Sequence, residues 1–296
     1  IAHQIPSTSQ AFIFNLRRTL FKDRQVRQAL SLMFDFEWTN KALFNGAYQR
    51  NASYFPNSDF SASGLPSEQE LNLLTPFKSQ LPTSLFKQEY TQAVTQGNGN
   101  IRLQTKQALT LLAQAGWTLK DGRLINKKTG QLFEFEILVR QAGIQRVLLP
   151  FIKNLERIGI IATSRLIDTA QYKVRLDQFD YDMTTVSLAQ GNAPSYEQRD
   201  YFHSSNSRIE GSQNYAGIDN PVIDALIGEV LAATSRNELI PAMQAMDRVL
   251  LWQYYTIPNW HINYHRLASW DKFSRPTTAT PYKLGVENWW SKSLAQ

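Results

Sequence analysis

Residues 132–167 constrain the fold more than any other part of the chain. Residues 132–140 read LFEFEILVR, a run of β-branched and aromatic residues that predicts a strand. A helix is expected over 143–158, kinked at Pro150, and a second strand over 160–167. A strand, a helix and a strand in this order predict a right-handed βαβ unit with parallel strands, and therefore an α/β sheet.

An apolar strand followed by two short helices begins the chain. Residues 12–16 alternate as a pleated strand requires, and Asp23 is in the position of a helix N-cap. The first helix turns one apolar face to a core through Val26, Leu30, Met33 and Phe34. The second helix starts near Phe36, and Gly46 is expected to end it because glycine tolerates a left-handed C-terminal turn.

Residues 47–100 contain several prolines and few periodic signals, so we predict mostly loop there. One short helix is expected over 67–74, because Ser67 and Glu70 have the spacing of a capping box. Further regular elements are then predicted in order: a helix over 101–115, a hairpin with the turn KDGR at 120–123, a strand over 181–188, helices over 221–233 and 236–254, and a strand that starts at Pro258.

Composition excludes several classes of function. The chain of 296 residues has no cysteine, which rules out disulfides, thiolate metal sites and cysteine nucleophiles. Its net charge of +6 is scattered and accompanies no nucleic-acid-binding motif, so no nucleic-acid partner is predicted. No apolar run approaches the roughly 20 residues that a membrane-spanning helix needs. No phosphate loop or other cofactor motif is present, and we predict no cofactor and no metal.

Several short motifs occur in an order that is typical of one family. LLAQAGW, a DG turn, TGQLFEFEIL, LERIGI, FDYDM and NYAGIDNPVIDALI follow one another along the chain. The entrance signature that precedes them consists of Phe14, Asn15, Leu20, Phe21, Asp23, Val26, Arg27, Ala29, Leu30 and Asp35. Together they resemble the extracellular solute-binding proteins of ABC importers, family 5 (the peptide/nickel family). FDFEW and NASYFPNSDF make the chain most similar to the YejA-type oligopeptide-binding members.

The resemblance implies the second lobe of a periplasmic binding protein-like fold of type II, cluster C, with a C-terminal return segment. Residues 1–14 would end the first lobe and cross between lobes, 15–262 would form the second α/β lobe, and 263–296 would return to the first lobe. The chain is then expected to be a fragment that lacks its N-terminal lobe. Its aromatic tail would expose an apolar patch where that lobe is absent. The implied partners are a peptide or peptide-like ligand and the ABC permease subunits, with the protein in the periplasm.

In this family the loop after the FDYDM strand forms one wall of the cleft between the lobes. Here it offers the neutral hydrogen-bonding residues Thr185, Ser187, Gln190 and Asn192. The loop contains neither the Trp nor the Asp that peptide binders of the family often carry there, so recognition of a free α-amino group is not expected through this wall. Main-chain hydrogen bonding to an extended ligand is the alternative.

Two further groups are candidates for ligand binding. Arg50, Asn51 and Tyr54 belong to a polar and aromatic loop that either lines the cleft or packs locally. Asn15 follows the crossing strand and is either a hinge residue or a residue that satisfies backbone groups at the strand end.

Other interpretations remain open at this level. The same fold could bind a sugar, an opine, a metal complex or haem. A hydrolase could use the carboxylates of Asp177, Asp180 and Asp182, but their spacing is more typical of caps and solvated residues, and we predict no catalytic residues. His261 and His265 could form a metal pair, but they lack a further ligand nearby in the sequence.

Overall fold

The computed structural model describes residues 1–3, 5–277 and 283–292. Its strands are β1 (Ser9–Phe14), β2 (Gln49–Arg50), β3 (Trp117–Lys120), β4 (Arg123–Asn126), β5 (Glu134–Val139), β6 (Ile161–Leu166), β7 (Met183–Leu188), β8 (Thr256–Pro258), β9 (Trp260–His261), β10 (Phe273–Ser274) and β11 (Trp290–Ser291). Its helices are α1 (Arg24–Leu32), α2 (Phe36–Phe44), α3 (Glu68–Leu74), α4 (Thr83–Lys87), α5 (Arg102–Gln114), α6 (Ala142–Glu156), α7 (Thr169–Asp177), α8 (Glu197–Phe202), α9 (Pro221–Ala232) and α10 (Arg236–Gln253). Short 3₁₀ turns cover Thr19–Phe21, Thr75–Gln80, Ser204–Asn206 and Val286–Asn288.

A mixed sheet of five strands, in the order β6-β5-β7-β1-β8, forms the centre of the fold. β5 runs parallel to both β6 and β7, while β1 runs antiparallel to β7 and β8. The parallel pairing of β5 with β6 across α6 confirms the predicted strand–helix–strand unit and the α/β class. The β3–β4 hairpin turns at Asp121 and Gly122, both with positive φ, as the DG pair predicts.

β1 lies inside the sheet, between β7 and β8, and is buried on both faces. Phe12 and Phe14 pack into a core with α1, α5 and α6, whereas Ala11 and Ile13 pack into a second core with α9 and α10. The strand spans Ser9–Phe14 rather than the predicted 12–16. The N–H of Asn15 still donates to Asp182 in register with β7, but the N–H of Leu16 donates to Ala216, outside the ladder. The first strand thus belongs to the same sheet as the rest. The division of the chain at 14/15 and 262/263 stays a prediction.

Several elements differ from the sequence-based expectation. β8 ends at Pro258 instead of starting there, and within the predicted run 258–270 the paired residues after β8 are Trp260–His261 and, through an isolated bridge, Tyr264. The segment predicted as mostly loop contains α4 in addition to the expected α3. Among the described residues, no helix is both long enough and apolar enough to cross a lipid bilayer.

Two charged residues in the middle of α10 hold the loop and helix that follow β2. Arg248 is 1% exposed and forms an ion pair of 2.9 Å with Glu70, which is 3% exposed. Glu70 also completes the predicted capping box of α3, because its carboxylate accepts a hydrogen bond from the N–H of Ser67. Asp247 is fully buried and accepts hydrogen bonds from the N–H groups of Tyr54 (2.8 Å) and Ala62 (2.9 Å).

We predict that Asp247 makes the stability of the fold depend on pH. Burial raises the pKa of Asp247 from 3.8 to about 7, although its two N–H donors oppose this shift. Between these values the folded state holds a proton that the unfolded state has lost, so the free energy of unfolding falls as the pH rises. A shift of about three pKa units corresponds to about 4 kcal/mol over the full range.

Urea unfolding of the wild type and of Asp247→Asn between about pH 4 and pH 7.5 measures this effect. The difference in unfolding free energy between the two proteins should change with pH in the stated direction, whatever the other carboxylates contribute. A difference that is constant across the range would refute the assignment to Asp247.

Candidate ligand-binding site

One end of the sheet combines the carboxyl ends of β5, β7 and β8 with the start of β1, because β1 is antiparallel to its neighbours. A cavity of about 390 Å³ opens at this end, which we call the strand-end cavity. Its polar wall is formed by Gln10, Arg140, Gln141, Tyr172, Thr185 and Ser187. In α/β sheets, ligands bind in crevices beyond the carboxyl ends of the strands, so this cavity is the first candidate site.

β7 extends past its neighbour β5 at this end. β5 pairs only with Met183 and Thr184 of β7, whereas β1 pairs with the whole of β7. The carbonyl of Gln10 accepts a hydrogen bond from the N–H of Asn259 (3.0 Å), so Gln10 directs its main chain away from β7. In an antiparallel pair, the main-chain N–H and C=O groups of two opposite residues either bond to each other or both point away from the partner strand. Ser187, the partner of Gln10, therefore directs its N–H and C=O away from β1, on the side that β5 leaves open.

Tyr172 supports this open edge from α7. Its hydroxyl donates to the carbonyl of Thr185 (2.7 Å) and is 2.9 Å from Oγ1 of Thr184. Burial raises the pKa of Tyr172, so the hydroxyl stays protonated and remains a donor. Oγ1 of Thr185 is buried and has no hydrogen-bond partner within the part of the chain that the structure describes. The main-chain edge is thus held in place while one hydroxyl beside it is unsatisfied.

The two other residues predicted on this wall lie farther along the loop. Oε1 of Gln190 accepts a hydrogen bond from Gln198 (3.2 Å), and the side chain of Asn192 is exposed. The main-chain carbonyl of Asn192 accepts from Arg236 (3.2 Å). Of the four predicted loop residues, Thr185 and Ser187 line the strand-end cavity and Gln190 and Asn192 do not.

The predicted residues after α2 form internal contacts. Asn51 is fully buried, donates to the carbonyl of Gln10 (3.1 Å) and approaches Nδ1 of His261 (2.7 Å). Tyr54 is 4% exposed, and its hydroxyl accepts from Thr256. Arg50 donates to the carbonyl of Ala93 (3.0 Å), and burial lowers its pKa. None of the three lines the strand-end cavity, and a ligand-binding role for them stays a prediction.

Asn15 lies at the opposite end of the sheet. Its side-chain amide donates to the carbonyls of Phe179 (3.0 Å) and Tyr181 (2.7 Å), and the residue is 1% exposed. It borders a cavity of about 810 Å³, which we call the distal cavity, lined in addition by Arg17, Arg27, Arg208 and Asp219 among others. These contacts support the interpretation of Asn15 as a residue that satisfies backbone groups at the strand end.

The residues considered for other chemistry have structural partners. Asp180 and Asp182 form ion pairs with Arg18 at 3.3 and 3.2 Å. The ring of His265 lies 4.6 Å from that of His3, although the two are remote in sequence. Across residues 1–3, 5–277 and 283–292, no group of three or more His, Cys, Asp or Glu side chains could hold a metal ion.

Sequence reasoning missed most of the wall of the strand-end cavity, including Gln10, Arg140 and Tyr172. A signal for Arg140 was present, because it is the last residue of the strand-like run LFEFEILVR and the carboxyl ends of parallel strands are where ligands bind. Gln10 and Tyr172 come from a neighbouring strand and a separate helix, and only the tertiary fold places them there.

The sheet, its helical layers and the open strand-end crevice define an α/β lobe of the kind found in periplasmic binding proteins. The chain belongs to the bacterial extracellular solute-binding proteins, family 5, whose middle-region sequence model matches residues 2–208.

Relatives and solved structures agree with this assignment. The chain is 41% identical over 278 residues to the uncharacterized protein YejA of Escherichia coli K12, covering 94% of this chain and 46% of that one. It is 38% identical over 283 residues to the probable peptide-binding protein YejA of Agrobacterium fabrum, covering 95% and 46%. It thus spans about half the length of the curated relatives it matches. The oligopeptide-binding protein AppA of Bacillus subtilis, solved with a nonapeptide, superposes with a TM-score of 0.68 at 19% identity over 97% of this chain and 51% of AppA. The predicted type II periplasmic binding protein fold is confirmed.

Replacing Asn15 separates its structural role from a ligand-binding role. Asn15→Ala leaves the carbonyls of Phe179 and Tyr181 without their amide donor, so unfolding should become easier by about 1–3 kcal/mol. The exposed Asn192→Ala is the matched control and should change stability by less than about 0.5 kcal/mol. Urea unfolding measures both. An Asn15→Ala protein of unchanged stability would contradict the structural role.

Proposed function

We propose that this chain is the C-terminal half of the substrate-binding component of an ABC importer. In the periplasm it would capture oligopeptides or peptide-like solutes between two lobes and deliver them to the permease in the membrane. It would bind and release its ligand without a chemical reaction. The observation that carries this proposal is the open main-chain edge of β7 at Ser187, which borders the strand-end cavity.

The position of the connecting segments supports a two-lobed arrangement. The segment before β1 runs beside the segment after β9: the N–H of His3 donates to the carbonyl of Asn263 (3.0 Å), and Ala2 bridges to Tyr264. Both segments leave the sheet at the end that carries the strand-end cavity. A first lobe attached through them would stand over this cavity and would supply the opposite wall of a cleft.

Aromatic side chains near the end of the chain are exposed, which supports a surface there that another part of the protein would cover. Trp270 is 78% exposed, Trp290 is 53% exposed and Phe273 is 42% exposed, whereas Trp260 is buried. Apolar side chains of this size are usually covered when they cluster, and the tail was expected to pack against the first lobe. We therefore assign this surface to the first lobe of the same protein.

Recognition through the main chain fits the chemistry of the cavity wall. An extended peptide that pairs with the open edge of β7 gains hydrogen bonds that do not depend on its side chains. No carboxylate lines the strand-end cavity among the described residues, so a free α-amino group finds no ionic partner there. The wall suits peptides and peptide-like solutes that present amide groups.

Substitution of Ser187 tests the edge directly in the intact two-lobed protein. Ser187→Pro removes the N–H that faces the open side and keeps the pairing with β1, since proline is tolerated where its nitrogen needs no ladder partner. We expect affinity for a bound peptide to fall about tenfold or more. Ser187→Ala removes only the hydroxyl and should bind within about twofold of the wild type.

Peptide affinity is read by titration calorimetry, and urea unfolding checks that both variants are folded. Equal affinity of the wild type and Ser187→Pro, with both proteins folded, would count against strand addition at β7. Turnover of the peptide by the wild type would point instead to an enzyme.

A further inference from the structure

Arg140 is the one cation of the strand-end cavity whose charge is not matched within the part of the chain that the structure describes. The cavity wall contains two basic side chains, Arg140 and Lys173. Lys173 forms an ion pair with Asp177 one helical turn away. Arg140 is exposed at the end of β5, and its guanidinium carbon lies 5.6 Å from the centre of the ring of Tyr172.

Tyr172 connects Arg140 to the open edge of β7. The hydroxyl end of the ring is bonded to Thr185, and the ring face lies near the guanidinium. A cation near an aromatic face is attracted by the negative potential of the ring. The guanidinium of Arg140 is therefore favoured beside the ring of Tyr172, which lines the cavity, rather than free in solvent. Apolar residues of the wall, Ile144 and Leu176, reduce the access of water to the same space. An anion bound there would be less screened than on an open surface.

The start of α6 adds to the positive character of this wall. Gln141 is the N-cap, and its side chain makes no capping hydrogen bond. By contrast, Asp168 caps the neighbouring helix α7 with its carboxylate. The N-terminal end of α6, a helix of 15 residues, therefore has no side-chain cap from Gln141 and places a partial positive charge next to Arg140.

We propose that Arg140 binds a carboxylate of the ligand, so that the cleft selects peptide-like solutes by a carboxylate and not by a free amino group. This proposal rests on the proposed function and names the ligand class that the same site takes. Arg140 supplies the ionic contact, and the main chain of Ser187 supplies hydrogen bonds to the neighbouring amide groups of the ligand. A guanidinium can meet a carboxylate with two parallel hydrogen bonds, which gives the contact direction as well as strength.

The test uses the intact two-lobed protein and tetrapeptides built from Ala, Gly, Ser and Leu, whose only carboxylate is the C-terminal one. The peptides are offered with free termini, with an acetylated amino group, or with an amidated C-terminus. Binding is measured as retention at several protein concentrations, read by mass spectrometry. N-acetylation should leave affinity within about threefold, whereas C-terminal amidation should lower it by about 10- to 100-fold.

Arg140→Gln should lower affinity for the free peptides by the same factor and leave affinity for the amides unchanged. The ratio of acid to amide affinity then falls to about one, which a general loss of folding would not produce. Arg146→Gln removes an equal charge from an exposed position on α6 that does not line the cavity, and it should keep the wild-type ratio. Arg140→Lys keeps the positive charge and should therefore retain part of the preference for the acid over the amide.

The possible failures are distinguishable. If the wild type binds acids and amides equally, or if Arg140→Gln keeps the wild-type ratio, the role of Arg140 is overturned and the peptide-binding function stands. If loss of the free amino group abolishes binding, selection by the carboxylate is wrong. If no form of the peptides is retained by the wild type, the proposed function fails together with the inference.

Discussion

Backbone polar groups in a sheet need hydrogen-bond partners, and the unequal lengths of β5 and β7 leave some of these groups open. β5 ends at Val139, while β7 continues to Leu188 with β1 on one side only. At Ser187 the open side faces a cavity that solvent or a ligand can enter. An unpaired strand edge is a template for another extended chain, and proteins cover such edges unless they use them. The helices of this lobe cover both faces of the sheet and leave this short edge uncovered.

The two ends of the sheet have different chemistry. At the distal end, Arg27 is buried and donates to main-chain carbonyls of Gln253 (2.7 Å) and Phe21 (2.7 Å), which ties the end of α10 to the segment before α1. Arg17 likewise donates to the carbonyl of Asn214 (2.9 Å). Both cations thus donate hydrogen bonds to main-chain carbonyls of the chain itself. At the strand-end cavity, the hydroxyl of Thr185 and the charge of Arg140 have no such partners among the described residues. The unmatched hydroxyl and the unmatched charge thus both lie at the end of the sheet from which the segments before β1 and after β9 emerge.

Local sequence patterns predicted most of the helices and strands, but they could not predict which distant segments of the chain pair with each other. The periodicity of 132–167 identified β5, α6 and β6, and Ser67 with Glu70 identified the start of α3, because both signals depend on neighbouring residues. The central position of β1 depends on pairing Ser9 with Leu188, which no local pattern encodes. The same limit applies to the ion pair between Glu70 and Arg248, whose partners are far apart in sequence.

The candidate site was predictable only where it follows a strand. Thr185 and Ser187 were predicted because the family resemblance makes the segment after FDYDM a wall of the cleft, and they line the strand-end cavity, whereas Gln190 and Asn192 of the same segment do not. Composition could not distinguish a cleft-lining loop from a buried hydrogen-bonding one around Asn51, since both use polar and aromatic residues. Amide hydrogen exchange of the intact protein, before and after removal of the solute that co-purifies with it, tests the central claim most directly. The account predicts that bound solute slows exchange at residues 185–188 and leaves residues around the distal cavity unchanged. Slowed exchange at the distal cavity, with none at 185–188, would contradict it.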